Sequence, residues 1–299
     1  MLRSLLVPLD LTRASSRVLE RALRLQLAED VRVTLLHAVP SLLPGEARAR
    51  AEADARALLE DHAARVGRDL PEPAVVRTVV AIGSASAAIH EQAQQGAAEL
   101  IVMGRGGHGA LRDVVFGATA ERVLRRTRLP VLVVRLPADA PYQRPMLALD
   151  VGQPLHELLA LALRVLPPPR PVLEWVHAYE APFEGLVYPS FTNDEARQYR
   201  HHYRQQALHD VAAQLEAARE RLGLAPDAVT FRSHVSHGPA RTVVQDTVLR
   251  TGADLLALGT HGYSAVTRAF LGTVAGDVLR EVPCDVLVVP PREEAGEAG

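Results

Sequence analysis

Short apolar runs alternate along the chain with longer segments whose apolar positions recur three and four residues apart. Runs at 5–9, 31–37, 74–80, 99–103 and 130–134 predict five strands, because a strand covered on both faces of a sheet needs no polar alternation. Between them Val18, Ala22 and Leu25 recur at helical spacing. Residues 46–66 form a proline-free stretch rich in alanine and leucine, Gly83 and Ser84 lead a helix to about residue 95, and a further helix is predicted over 117–126. Strands separated by helices in this way predict an α/β fold with a doubly wound parallel sheet.

The second half repeats the first. Asp150, at the end of a new first strand, stands 140 residues after Asp10, and His177 stands 140 after His37. Gly238, Gly259 and Gly272 each follow Gly83, Gly104 and Gly117 by 155 residues. The offset grows by 15 between the second and third strands of the second half, which points to an insertion around 180–193, where Pro182, Gly185 and Pro189 suit a loop. After it, Leu208, Val211, Leu215, Ala218 and Leu222 step by three and four, as one face of a helix does. Three prolines in 137–145 mark the junction. The expected division is a first domain over 1–137, a linker over 138–145, a second domain over 146–291 and a polar, flexible tail over 292–299.

Two glycine loops carry the candidate chemistry. Gly259 and Gly262 follow the apolar run 254–258, and Gly272-Thr273 opens a predicted helix; Gly104, Gly107 and Gly117 repeat the pattern. Glycine lets a backbone approach an anion closely, and a helix start leaves its first amides without intrahelical partners. Ligands of open parallel sheets bind beyond the carboxyl ends of the strands, where strand order reverses. With the first and fourth strands as neighbours, Asp10 and Asp150 each face a glycine loop across that crevice. A carboxylate there can accept from ribose hydroxyls while the loop takes phosphates. Read singly, each aspartate is equally a turn or helix-capping residue.

Composition narrows the alternatives. Apolar residues make up 48% and charged residues 23%, ordinary for a soluble globular chain of about two domains. A net charge of −2 supplies no electrostatic footprint for nucleic acid. No apolar run reaches the roughly 20 residues of a membrane span, and the opening residues read as a strand rather than a secretion signal. All 33 basic residues are arginine, which removes a P-loop lysine and Schiff-base chemistry. Cys284 is the single cysteine, so no intrachain disulfide forms and a cytoplasmic location is expected. Twelve histidines are present, eight beyond residue 150, but neither the adjacent His201 and His202 nor His234 and His237 converge as a metal site would.

Both halves resemble universal stress protein domains, and the whole resembles the tandem form of that family. The family's pattern is glycine, two residues, glycine, nine residues, then glycine followed by serine or threonine. Gly259, Gly262, Gly272 and Thr273 match it in full; Gly104, Gly107 and Gly117 match the spacing, with Ala118 in place of the hydroxyl residue. Thr119 follows one place later, where helix geometry is expected to turn its side chain elsewhere. The resemblance implies two five-stranded sheets of order 3-2-1-4-5, pairing through their fifth strands. It also implies ATP, accompanied where required by magnesium, between the first strand and the glycine loop. The ribose or adenine side would fall to Asp150 and Asp10, and the base to Ala178 and Ala38. Phosphate contacts would fall to Gly259, Gly262, Gly272, Thr273 and Val274, and to Gly104, Gly107, Gly117 and Ala118, with His261 inside the second loop as a further candidate.

Arg105 and Arg268 flank the loops as candidate charge partners, and Tyr188, Phe191, Tyr199 and Tyr203 gather near the insertion as a candidate partner surface. The loops supply amides and a threonine hydroxyl but no acidic pair, an inventory for binding rather than for hydrolysis. The leading expectation is a cytoplasmic stress-response protein that binds an adenine nucleotide and regulates or joins an unknown protein partner, with a homodimer of the tandem chain as a further assembly. An interaction module that binds no ATP, and a slow ATPase or nucleotidyl-transfer enzyme, are the alternatives.

Overall fold

The computed structural model describes residues 1–12, 14–106, 117–150, 155–180, 193–260 and 273–290. In chain order the first half contains β1 (Leu2–Pro8), α1 (Ser15–Leu23), β2 (Leu27–Val39), α2 (Gly45–Asp69), β3 (Val75–Ile82), α3 (Ala85–Gln95), β4 (Leu100–Gly104), α4 (Ala118–Arg126) and β5 (Val131–Val134). The second contains β6 (Pro145–Ala148), α5 (Leu155–Val165), β7 (Leu173–Tyr179), α6 (Asn193–Arg221), β8 (Phe231–His237), α7 (Ala240–Thr251), β9 (Leu255–Gly259), α8 (Thr273–Glu281) and β10 (Asp285–Val289).

All ten strands lie in one sheet of order β3-β2-β1-β4-β5-β10-β9-β6-β7-β8, so each half has the order 3-2-1-4-5 and the two meet at their fifth strands. Pairing is parallel within each half and antiparallel only between β5 and β10, where Val133, Leu132 and Val131 face Val286, Leu287 and Val288. A lone half would leave a largely apolar fifth strand as an open edge; the seam satisfies both at once.

The continuous apolar runs now have their reason. Leu5, Val7, Leu100, Val102, Leu132 and Leu287 point into one core beneath α1, α2, α5 and α6. Leu6, Ile101, Met103, Val133 and Val286 point into the other, beneath α3, α4, α7 and α8. Helical spacing is realised in part: Val18 and Ala22 are buried on α1 and Val211, Leu215 and Ala218 on α6, while Leu25 is buried just past the end of α1 and Leu222 follows α6. Trp175 and Cys284 are both core residues. The repeat extends to backbone detail, since Gly83 and Gly238 share an unusual φ of 130° and 128°, and their N–H groups donate to Val39 O and Tyr179 O. A side chain would be strained at either position.

Some boundaries differ from expectation. β1 and β6 stop at Pro8 and Ala148, so Asp10 and Asp150 lie two residues past the strands rather than on their ends. Leu9 N–H and Leu149 N–H still bond to Leu36 O and Val176 O, after which the chain turns away. The proline-rich junction is built into the molecule: Pro145 already belongs to β6, and Ala138 and Tyr142 are buried. Most of the inserted segment lies outside the described residues.

What fastens the junction is a carboxylate. Asp285 has no exposed surface; its Oδ1 accepts from Arg135 N–H (2.7 Å) and Leu136 N–H (2.8 Å), and its Oδ2 accepts from Tyr142 O–H (2.7 Å). Arg21 Nε stands 3.1 Å from Oδ2 as an ion pair, while its Nη atoms donate to Ala140 O and Pro137 O and its guanidinium lies 4.0 Å over the Tyr142 ring. Burial raises the Asp285 carboxyl above its ordinary value despite the opposing hydrogen bonds, and pushes the Tyr142 phenol well up. A second contact between the halves is made by Glu99, which accepts from Arg3 N–H and pairs with Arg164 of α5, both at 2.7 Å.

Two outcomes are expected. Asp285→Ala strands the buried Arg21 charge and lowers unfolding stability by about 3–5 kcal/mol in denaturant titration. For Glu99, burial raises the carboxyl, but hydrogen bonds from Arg3 and Arg164 outweigh it and the net shift is downward from 4.5. The folded form therefore binds fewer protons than the unfolded chain, and the stabilisation exists above that pH and fades as pH falls through the folded value. Glu99→Gln should be less stable than the parent at pH 7 and indistinguishable from it in acid; a constant difference would refute the assignment.

Candidate functional site

Strand order reverses between β1 and β4, which pair directly through Leu5 with Leu100 and Leu6 with Ile101. A cavity of about 950 Å³ opens beyond their carboxyl ends. It brings together Asp10, Ala38, Gly104, Gly117 and Ala118, five of the six first-half positions singled out in the sequence. The sixth, Gly107, lies outside the described residues.

The floor is shaped by glycine. A β-carbon on Gly117 would stand 2.4 Å from Arg105 O and 3.0 Å from the Gly106 carbonyl carbon, so nothing larger fits. Gly117 N–H donates to the same Arg105 oxygen at 3.2 Å, clamping the turn after β4 onto the start of α4. Gly106 needs its freedom for another reason, a φ of 75° in the left-handed region. A β-carbon on Gly104 would meet Val18 Cγ2 of α1 at 3.4 Å. The backbone thus turns tightly beside a helix start whose first-turn amides have no intrahelical acceptor. Gly117 caps α4 without a side-chain hydrogen bond.

Across the opening, Asp10 Oδ1 accepts from Thr12 N–H (3.0 Å), Thr12 O–H (2.7 Å) and Ser15 O–H (3.0 Å). This oxygen folds the chain into α1, so the turn-capping role weighed in the sequence is real. His37 Nδ1 lies 2.8 Å from Leu9 O, and His177 Nδ1 lies 2.9 Å from Leu149 O. A carbonyl only accepts, so Nδ1 carries the hydrogen in both and pins the segment after the first strand of each half.

Several wall residues escaped the sequence reading. His37 was noted only as a marker of the repeat, and Arg17, Ser15 and Arg135 had no motif. Thr119 also lines the cavity, contrary to the expectation that helix geometry would turn it away. The least foreseeable are Arg280, Glu281, Val282 and Pro283, which come from the second half. Arg105, chosen from sequence as a charge partner, does line the cavity. Burial, followed by repulsion from Arg105, lowers Arg135 to about 10, and its guanidinium donates to Leu279 O and Val282 O at the end of α8.

In the second half, β6 and β9 are neighbours, which sets Asp150, two residues past β6, and Gly259, the last residue of β9, on adjacent chain segments; Ala178 lies in β7 beside β6. Thr273 is the first residue of α8 and Val274 the second. His261, Gly262, Gly272 and Arg268 lie outside the described residues, as do Tyr188 and Phe191. Tyr199 is exposed on α6, where Tyr203 meets the ring of His202. His234 does not stand alone: its Nε2 is 2.7 Å from Glu174 Oε2, while Arg232 pairs with the other oxygen at 3.2 Å. No described helix is long and apolar enough to cross a membrane.

Comparison with known proteins agrees with this architecture. The chain is 30% identical over 197 residues to the universal stress protein Rv2005c of Mycobacterium tuberculosis, covering 64% of this chain and 61% of that protein. It is 27% identical over 225 residues to universal stress protein E of Escherichia coli, covering 68% and 64%. The matched region therefore spans about three fifths of the length of these relatives. A universal stress protein from Archaeoglobus fulgidus shares the fold, with a TM-score of 0.67 at 18% identity over 98% of this chain and 97% of that one. The model of the universal stress protein family matches residues 1–135 and 183–290, and with its two five-stranded halves the chain belongs to that family.

Proposed function

We propose that the protein is a cytoplasmic stress-response regulator that binds an adenine nucleotide, ATP in the first instance, in the crevice between the first and fourth strands of each half. The observation that carries this reading is the first-half cavity. It joins the Asp10 turn to a glycine-clamped helix start, with room at the upper end of the range for small-molecule sites, roughly 300–1,000 Å³. The ribose and base would lie towards Asp10 and Ala38, and the phosphates towards Gly104, Gly117 and the first turn of α4. By the repeat, Asp150, Ala178, Gly259, Gly262, Gly272, Thr273 and Val274 would serve the second half, with His261 beside the phosphates. Magnesium would accompany a triphosphate. Each half would act as a domain, 1–137 and 146–291, and occupancy would govern which protein partner, or which second copy of the chain, is engaged.

A second reading, an interaction module that binds no nucleotide, draws on two facts of the first half. Asp10 Oδ1 is already engaged by Thr12 and Ser15, and Ala118 brings no hydroxyl to the helix start.

Melting curves with and without ATP separate the two. At a ligand concentration 100 times Kd, binding should stabilise the fold by about 2.7 kcal/mol per site. Gly117→Val should abolish the first-half contribution, because its β-carbon alone would stand 2.4 Å from Arg105 O. Gly272→Val should abolish the second. A melting temperature indifferent to ATP in the parent would favour the interaction module, and an ATP shift untouched by both substitutions would place the nucleotide elsewhere.

A further inference from the structure

The nucleotide reading treats each crevice as the property of its own half, yet the first-half cavity has a wall from the second. That wall is the end of α8, held against the cleft by Arg135, whose guanidinium donates to Leu279 O and Val282 O. Arg280 sits on this end, half exposed, with its Nη2 atom 3.6 Å from Glu121 Oε1, an oxygen that Arg125 of the same helix as Glu121 already holds at 2.9 Å, so Arg280 is the looser of its two partners. Glu121 lies in the first turn of α4, the helix that starts at the glycine clamp. A guanidinium from the second half therefore stands beside the place where anionic ligand oxygens would meet the first-half amides. Glu121 itself is not among the residues lining the cavity, whereas Arg280 is.

The charge around the cleft points the same way. Arg17, Arg105, Arg135 and Arg280 line it, against the carboxylates of Asp10 and Glu281. Glu281 is bound by Arg241 of α7, and Asp10 is engaged in its turn. Arg135, lowered chiefly by burial and next by Arg105, adds to the positive charge that a polyanion in the cleft would face. Arg280 is the most loosely held member: its contacts to Glu121 and Asp277, at 3.6 and 3.4 Å, are long, and its side chain is 47% exposed. Exposed ion pairs of this kind contribute at most about 1 kcal/mol, so exchanging one for a phosphate is cheap.

We propose that the first-half crevice is a site shared by both halves, in which Arg280 leaves Glu121 to hold the terminal phosphate of a bound nucleoside triphosphate, making the cleft prefer triphosphate over monophosphate. The inference rests on the nucleotide reading and adds to it a residue, a direction of preference and a link across the seam. Arg280 acts as a specificity residue, and Glu121 is its resident competitor.

The test compares ATP and AMP binding by calorimetry in the full chain, taking as the first-half component whatever Gly117→Val removes. Arg280→Ala should cut the ATP-to-AMP affinity ratio of that component about fivefold while AMP affinity stays unchanged. Glu121→Gln, which removes the competitor and leaves Arg280 in place, should move the ratio the other way. A merely structural role for the pair predicts that both variants weaken both ligands together. If the parent binds ATP and AMP in the first half but neither variant alters the ratio, the shared site is wrong and the nucleotide reading survives. If Gly117→Val removes no binding from either ligand, the nucleotide reading of this crevice falls first, and the inference with it.

Discussion

A single buried carboxylate organises the meeting of the two halves. Asp285 draws its partners from separate parts of the chain: Arg21 on α1 as an ion pair, and as donors the two backbone N–H groups that follow β5 and Tyr142 in the junction. A charge with no exposed surface is tolerable only when paired and hydrogen-bonded, so these segments must be in place together. Removing a partner from such a group is costly, whereas the intact pair adds little over a well-packed apolar substitute. Its consequence is therefore geometric. The hydrophobic faces of β5 and β10 could slide; a carboxylate with designated donors cannot.

The network also breaks the symmetry of the repeat. At the positions equivalent to Asp285 and Arg21, the other half carries Pro130 and Leu161, which can make neither contact. The difference follows from connectivity. Beyond β5 the chain must run on into β6, and Arg21 donates to Pro137 O and Ala140 O of that passage while Tyr142 folds beneath it. The segment that composition marks as a spacer is thus a structural part of the junction, with Ala138, Tyr142 and Pro145 buried. Pro137 and Pro141 fix the backbone φ along its path.

Closing the seam also finishes the first-half crevice. Antiparallel pairing of β5 with β10 brings the end of α8 towards α4, and Arg135 ties it there through two carbonyl oxygens of the helix end. A cation at a helix C-terminus is favoured by the helix dipole, which helps a largely buried arginine to remain charged. The crevice that opens beyond β1 and β4 is consequently walled by both halves, whereas the glycine clamp at Gly117 is local to one.

The hydrophobic pattern by itself determined the strands, the helices and the duplication, because those depend on spacing within short windows and on recurrence along the chain. The recurring aspartates and glycines marked the crevice's local parts as well: Asp10, Gly104 and Gly117 are tied to strand ends and a helix start, Ala38 came from the family resemblance, and topology alone brings the four to one cavity. Strand ends were less readable, since the chain leaves the sheet where side-chain capping by Asp10 competes with the ladder. Tertiary structure alone decided that Asp285, outwardly one more strand residue beside Cys284, would be the fastening of the seam, with partners 143 and 150 positions away. It alone brought Arg280 to the first-half cleft. Such contacts leave no periodic trace, because they are made where two independently patterned halves are pressed together, and spacing within either half carries no record of the other's surface.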